Sequence, residues 1–265
     1  MGSPRWRRRW SATASPDAAA DRALVEDRAK IPRVFGSVSL RVKTLGVAPF
    51  ESRMAVGKRV KHDPLYRVAH WGVARLARGL LRVRVIGADQ VPDDGPVIVA
   101  ANHASYFDIP LLGISLARQA DYLAKRELFA LPLVGALLRA LGGVPVKRGG
   151  IDRAAMAEVA RRLAAGRLLV IYPEGTRSRT GILGPARPGI GWIVAQSRAV
   201  VVPVFIRGTR PLRPFGEVTL RFGEPLDFGP DLALPEQMQS KKLYARIALR
   251  VMSEIEKLGQ QRLPG

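Results

Sequence analysis

From residue 97 onward, short apolar runs and helical stretches alternate along the chain, and this alternation sets the narrowest limit on its fold. Val97-Ile98-Val99-Ala100-Ala101 and Leu168-Leu169-Val170-Ile171-Tyr172 are continuous apolar runs, the pattern of strands buried on both faces of a sheet. Tyr122–Ala124, Val144–Val146, Val200–Ile206 and Val218–Phe222 read as further strands. Helical stretches follow over Ile109–Leu116, Pro132–Leu141, Ile151–Ala165 and Ile190–Ser197, with a closing helix over Pro235–Leu258. Pro132 fits the second of these because a first-turn residue needs no amide hydrogen. Strands separated by helices pair in parallel, so the pattern predicts an α/β fold: a largely parallel β-sheet flanked by helices. There is no internal repeat.

Two different segments precede this region. Residues 1–53 are rich in Ala, Ser, Pro and Arg, with no sustained period, and read as a disordered basic extension. Two origins fit it: a misassigned start, since Met54 opens an ordinary-looking protein beginning, or a tail that helps membrane attachment. Residues 54–86 make an N-terminal amphipathic helical segment, with the helix itself expected over 64–84. At 100° per residue, Arg67, Arg75, Arg78 and Arg82 fall within one arc of ~80°, and Leu65, Val73, Leu76, Leu80 and Val83 gather opposite. Such a helix either packs on the core with a solvated basic face or lies in a lipid interface with its arginines at the phosphates. Trp71, in the basic arc, favours the interface. Residues 87–265 form the main domain.

Composition narrows the chemistry. Of 265 residues 47% are hydrophobic, enough for a sizeable core, and no cysteine is present, which excludes disulfides, thiolate metal sites and a cysteine nucleophile. Three histidines leave no basis for a histidine-rich metal site, and no metal is expected. The formal charge of +21 attracts nucleic acid, an anionic membrane surface or a phosphate-bearing substrate. The most apolar run, Leu128–Leu138, is eleven residues long, against ~20 for a membrane span. Charges at the amino terminus are not followed by an apolar stretch, so no secretory signal is read. The expected location is peripheral, on the cytoplasmic face of the cell membrane.

Four blocks stand out. Asn102-His103-Ala104-Ser105-Tyr106-Phe107-Asp108 follows the Val97 strand, where α/β proteins place reactive groups. His103 can take a proton from a hydroxyl, and does so better when a carboxylate holds its other ring nitrogen. His103 and Asp108 are five apart, so they meet only if His103 precedes the helix, with Ser105 at the N-cap and Asp108 at N3. The same spacing is also a simple capping box, Ser-x-x-Asp. Tyr172-Pro173-Glu174-Gly175-Thr176-Arg177-Ser178 follows the Leu168 strand: Pro173 ends the strand, Gly175 turns the backbone, and Thr176, Arg177 and Ser178 suit an anion. Glu174 can order Arg177 or accept a substrate hydroxyl; a plain polar turn is the alternative. Val144-Pro145-Val146-Lys147-Arg148 puts Arg148 just past a strand end, and Val201-Val202-Pro203-Val204 is an apolar strand.

In combination and order, these blocks resemble the glycerolipid acyltransferase family, and most of all its bacterial 1-acylglycerol-3-phosphate acyltransferases, from about Arg67 to Leu258. Lys125, in Ala124-Lys125-Arg126-Glu127-Leu128, also matches, as does Arg187-Pro188-Gly189. Lys147 stands where an acidic residue is common, and Tyr172 where phenylalanine is frequent. The resemblance implies His103 as general base and Asp108 as its orienting partner. It implies Glu174, Gly175, Thr176 and Arg177 in the acceptor-phosphate site, lined by Arg148 and Lys125. No cofactor is implied; acyl-CoA or acyl carrier protein is the co-substrate, and a lysophospholipid the acceptor. The hydroxyl attacks the thioester directly, and the absence of a Gly-x-Ser-x-Gly elbow argues against an acyl-enzyme.

The expected reaction is therefore acylation of 1-acylglycerol 3-phosphate to phosphatidate, with glycerol 3-phosphate, another lysophospholipid or a glycolipid headgroup as rival acceptors. A non-catalytic nucleic-acid- or membrane-binding protein accounts for the charge but leaves both motif blocks unexplained, and no nucleic-acid-binding signature is present.

Overall fold

The structure is a computed structural model and describes residues 64–147, 152–233 and 240–261. The extension 1–53, Arg148 and the first residues of the closing helix lie outside the described residues.

Seven strands form one sheet: β1 (Arg82–Ile86), β2 (Val97–Ala101), β3 (Ala120–Lys125), β4 (Gly143–Val146), β5 (Leu168–Ile171), β6 (Val200–Arg207) and β7 (Glu217–Phe222). Their order across the sheet is β1-β7-β6-β2-β5-β3-β4. The five strands from β6 to β4 run in parallel, β7 is antiparallel to β6, and β1 is parallel to β7. The largely parallel α/β sheet expected from the alternation is therefore present. The helices are α1 (Pro64–Leu80), α2 (Asp108–Ile114), α3 (Pro132–Ala140), α4 (Arg153–Ala164), α5 (Gly189–Ser197) and α6 (Lys241–Gln260).

The central strands have apolar side chains at every position because they face a core on each side. Ile98, Ala100, Leu169 and Ile171 pack with α4, α5 and α6, where Leu163, Ile193, Ile247 and Ile255 are buried. Val97, Val99, Leu168 and Val170 point the other way, onto Leu111 and Leu112 of α2 and Ala74 and Ala77 of α1. Each such aliphatic side chain contributes roughly 1.5–3 kcal/mol when removed from water.

The N-terminal helix departs from its expected extent. It ends at Leu80, and Arg82 and Val83 belong to β1, which pairs Arg82–Ile86 with Glu217–Arg221. Arg82-Val83-Arg84-Val85 alternates with the period of two of an edge strand, and that period prevails because β7 offers a ladder to complete. The side packed on the domain is also different. Tyr66, Ala74 and Ala77 are buried, whereas Leu65, Val68, Leu76 and Leu80 are exposed. Small residues let α1 approach α2 closely and leave the larger aliphatic ones in solvent.

Candidate active site

All five parallel strands end on the same edge of the sheet, and four of them carry motif residues there. β2 leads into Asn102 and His103, β5 into Tyr172–Arg177, β3 ends at Lys125, and β4 leads to Lys147. Because β2 and β5 are adjacent, Val99 being opposite Val170, the first and second blocks leave the sheet side by side.

Asn102 fixes the first loop. Its side-chain amide donates to the Ile206 carbonyl at 2.9 Å and its carbonyl oxygen accepts from the Ile206 N–H at 2.7 Å. The side chain thus continues the β2–β6 pairing one step beyond the strand. His103 then precedes the helix, which starts at Asp108, and its Nδ1 lies 2.9 Å from Asp108 Oδ2. A carboxylate only accepts, so Nδ1 carries the hydrogen and Nε2 keeps its lone pair. Nε2 has no hydrogen-bond partner among the described residues. The same Oδ2 accepts the Ala104 and Ser105 N–H groups, each at 2.7 Å. One buried carboxylate oxygen thus holds both the histidine and the turn ahead of the helix, whereas the expected Ser-x-x-Asp capping box is only half formed: Asp108 accepts the Ser105 N–H, but Ser105 is not the N-cap. The helix begins later than expected, since Phe107 occupies the N-cap position and Ser105 Oγ accepts from Phe107 N–H at 3.3 Å in the turn ahead of it.

The imidazole is 12% exposed and stacks on Tyr172, with ring centroids 4.0 Å apart and planes inclined by 17°. Tyr172 Oη and Asp108 Oδ1 are both buried and both without a hydrogen-bond partner among the described residues. Burial, and then the charges of Asp108 and Tyr122, push the Tyr172 phenol well above its usual value. It is therefore a neutral hydroxyl at any working pH.

The second loop is bound to the first by two hydrogen bonds. Glu174 is 4% exposed; Oε1 accepts the His103 N–H at 2.9 Å and Oε2 accepts the Gly184 N–H at 2.9 Å. Ser178 N–H donates to the His103 carbonyl at 2.7 Å. The Glu174 carboxylate is thus committed to backbone amides, and among the described residues it orders neither Arg177 nor any other arginine through that group. Arg187 instead reaches the Glu174 backbone carbonyl through Nε at 3.0 Å. Gly175 has φ +68, so the turn favours glycine, and a Cβ there would meet Arg187 Cδ at 2.6 Å and displace that side chain. Thr176 is exposed on the wall of a depression of about 350 Å³, which it shares with Ser178, Thr180 and Arg187 but not with His103. Arg177 is half-buried, its guanidinium carbon 3.6 Å from the centroid of the Tyr106 ring.

Lys125 lies on the same edge but pairs with Glu127, at 3.9 Å, and no contact among the described residues joins it to His103 or Arg177. Asp152 caps α4 by accepting from Ala155 N–H, and also accepts from Lys147 N–H and from Arg126. The Lys147 and Ala155 amides, followed by the Arg126 charge, hold its carboxyl below the usual range. Among the described residues no group of three or more His, Asp or Glu side chains is placed to hold a metal ion. The tasks of Asn102, Tyr106 and Gly184 were not foreseen from sequence; each touches a residue far along the chain or acts through its backbone, and no local pattern marks it.

The geometry agrees with the relationships of the chain. Residues 82–207 match the Acyltransferase family. A chloroplast 1-acyl-sn-glycerol-3-phosphate acyltransferase of Arabidopsis thaliana is 30% identical over 164 residues, covering 58% of this chain and 45% of the relative. A lyso-ornithine lipid O-acyltransferase of Pseudomonas aeruginosa is 42% identical over 147 residues, covering 54% of each chain. The chain thus spans about half the length of these curated relatives. The crystal structure of the 1-acyl-sn-glycerophosphate (LPA) acyltransferase PlsC from Thermotoga maritima is similar with a TM-score of 0.58 and 30% identity, covering 75% of this chain and 81% of that one. Taken with the paired histidine and aspartate at the sheet edge, these similarities establish that the chain belongs to the acyltransferase family.

Proposed function

We propose that this enzyme transfers a fatty acyl group from an acyl thioester, acyl-CoA or acyl carrier protein, to the free hydroxyl of 1-acylglycerol 3-phosphate, giving phosphatidate. The observation that carries the reading is the His103–Asp108 pair, with Nε2 unengaged, one loop away from the unpaired guanidinium of Arg177. His103 Nε2 removes the proton of the acceptor hydroxyl as its oxygen bonds to the thioester carbonyl carbon. The tetrahedral intermediate then collapses, the carbon–sulfur bond breaks, and the imidazolium returns its proton to the departing thiolate. Asp108 holds the Nδ1–H tautomer and stabilises the imidazolium between the two steps. Arg177, with Arg187 on the same turn, receives the acceptor phosphate in charge-assisted contacts. Gly175 and Thr176 shape that turn, Glu174 braces it against the base, and Lys125 adds positive charge along the edge; Arg148, which lies outside the described residues, is assigned to the acceptor site by the family resemblance alone.

A second acceptor is favoured by one specific observation, the 42% identity to a lyso-ornithine lipid O-acyltransferase. That headgroup is an amino acid, so the two readings differ in whether Arg177 meets a phosphate. The test is thiol release with acyl-CoA and acyl carrier protein in parallel, against 1-acylglycerol 3-phosphate, glycerol 3-phosphate, lysophosphatidylcholine and lyso-ornithine lipid. Turnover highest on 1-acylglycerol 3-phosphate and lost in His103→Ala supports the proposal; turnover restricted to lyso-ornithine lipid replaces the acceptor, and a folded His103→Ala with parental turnover removes the base.

Such an acceptor resides in a membrane, and α1 with α3 supplies a surface for it. No helix among the described residues is long and apolar enough to cross a membrane. Leu65, Val68, Trp71, Leu76 and Leu80 on α1, and Leu131, Leu133, Val134 and Leu137 on or beside α3, are exposed, Leu133 by 87%. The two helices touch. Neither contains an acidic residue, and Arg67, Arg75, Arg78 and Arg139 lie among the apolar ones. This combination suits peripheral attachment to an anionic leaflet, on the cytoplasmic face of the cell membrane.

A further inference from the structure

Tyr106 has no part in the chemistry described so far. Its ring lies in the turn between His103 and α2 and is 66% exposed. One face is nevertheless occupied. The Arg177 guanidinium carbon lies 3.6 Å from the ring centroid, whereas the other cation–ring approaches among the described residues are 5.2–5.7 Å. An edge-on guanidinium, pointing an N–H at the ring, holds its carbon about 1 Å further away, since a C–N bond of ~1.33 Å intervenes. At 3.6 Å the plane of the guanidinium therefore lies against the face of the ring. Stacking of this kind commits the π surface of the cation and leaves its N–H edge uncommitted. None of the Arg177 N–H groups has a hydrogen-bond or carboxylate partner among the described residues. Arg162 and Arg167, by contrast, are both bound to the buried carboxylate of Asp121. An arginine held by a carboxylate is neutralised by it; one held by an aromatic face keeps its whole charge and its donors for an incoming anion.

We propose that Tyr106 is a positioning residue for acceptor recognition, its ring fixing the Arg177 guanidinium so that the N–H edge is presented to the acceptor's phosphate. The inference rests on the reading of Arg177 as a phosphate ligand and adds to it the group that orients the ligand. The two loops are already bound together by the Ser178–His103 hydrogen bond of 2.7 Å, one residue beyond Arg177, so the ring approaches the guanidinium from a fixed direction. Headgroup affinity is then set partly by a residue of the first motif, a few positions from the base, and not by the second motif alone.

Steady-state thiol release with the full chain tests this, varying detergent-dispersed 1-acylglycerol 3-phosphate and acyl-CoA separately. Tyr106→Ala should raise the acceptor KM roughly three- to tenfold, the range of a partly desolvated cation–π contact, and leave the acyl-CoA KM near the parent. Tyr106→Phe and Tyr106→Trp, which keep a π face, should stay within about twofold of the parent, and Tyr106→Leu, which keeps only bulk, should behave like Tyr106→Ala. In an Arg177→Ala background, Tyr106→Ala should add nothing further, the signature of two residues acting through one contact. The proposal is overturned if Tyr106→Ala leaves the acceptor KM unchanged while Arg177→Ala raises it. It is equally overturned if Tyr106→Ala weakens both substrates together with a lowered melting point, or if its effect persists undiminished without Arg177. Should Arg177→Ala itself leave the acceptor KM at the parental value, the phosphate-ligand reading fails first, and the role of Tyr106 fails with it.

Discussion

Replacing Asp108 by Asn isolates the charge of the pair from its shape. Oδ2 accepts from His103 Nδ1 at 2.9 Å and from the Ala104 and Ser105 amides at 2.7 Å, and Oδ1 has no partner among the described residues. A carboxamide can therefore put its oxygen at the Oδ2 position, keep all three donors, and turn its NH₂ toward the place of Oδ1. The geometric cost is one buried, poorly satisfied amino group, about 1–3 kcal/mol, or roughly 2–12 °C in melting temperature for a domain of this size. The electrostatic loss is larger. Two unit charges 2.9 Å apart at an effective dielectric constant near 20 interact by about 5–6 kcal/mol. If half of that is realised when the imidazolium forms, the barrier rises by about 2.5–3 kcal/mol, a rate loss of about two decades. The assay is thiol release at saturating acceptor and donor, at a temperature well below the melting point recorded on the same preparation. A folded variant that keeps more than about a tenth of the parental rate refutes the reasoning, and leaves Asp108 as the residue that closes the turn and nothing more.

Glu174→Gln sets an amide NH₂ against either the His103 or the Gly184 N–H, so it should lower the melting temperature and reduce kcat more than it raises the acceptor KM; an unaltered melting curve with only a raised acceptor KM would make Glu174 a direct substrate ligand. Substituting Arg67, Arg75 and Arg78 together by Gln should weaken sedimentation with anionic vesicles and reduce its salt sensitivity. Substituting Leu133 and Leu137 by Gln should weaken binding to neutral and anionic vesicles alike, while activity on detergent-dispersed acceptor changes far less in both variants; parental sedimentation of both would detach α1 and α3 from the membrane. The Glu158 carboxyl is held down to about 2 by hydrogen bonds from Arg161 and Arg162, against 4.5 for the free group. A lowered folded-state value adds stability above the unfolded one, and that stability disappears as pH falls from about 4.5 towards 2, so Glu158→Gln should lower the melting temperature slightly at neutral pH, flatten the profile between these values and leave it unchanged near pH 2.

Much of this was legible in the sequence because its cause is local. A run such as Leu168–Ile171 is apolar at every position only where both faces are covered, and the turns after β2 and β5 carry their polar residues together. The His103–Asp108 pair was legible as one of two alternatives, and the structure forms it in full while forming only half of the capping box, because the helix starts at Asp108 and not at Tyr106. Edge strand β1 was obscured by its arginines, which continue the angular arc of α1 while alternating with valines; only the ladder offered by β7, more than a hundred residues away, decides between the two periods. That Glu174 does not order Arg177 was hidden for a related reason. Its partners are an amide 71 residues earlier and one ten residues later, and backbone donors leave no mark on a sequence.

The passage from α1 to the sheet consists of one residue, Leu81, and both sides of it are secured. Leu81 N–H bonds to the Ala77 carbonyl at 2.8 Å, Phe215 N–H to the Leu80 carbonyl at 2.6 Å, and Arg82 N–H to the Gly216 carbonyl at 2.9 Å. From there the ladder runs through β7 and β6 to Ile206, which grips Asn102 beside the base. No slack intervenes between the helix proposed to rest on lipid and the histidine proposed to remove the proton. If α1 rests on lipid as proposed, the height of Nε2 above the bilayer is set by this ladder, and an acceptor must rise to that height. Acceptors whose hydroxyl lies deeper below the headgroup plane would then be disadvantaged by position alone, before any contact with the turn that carries Arg177 is made.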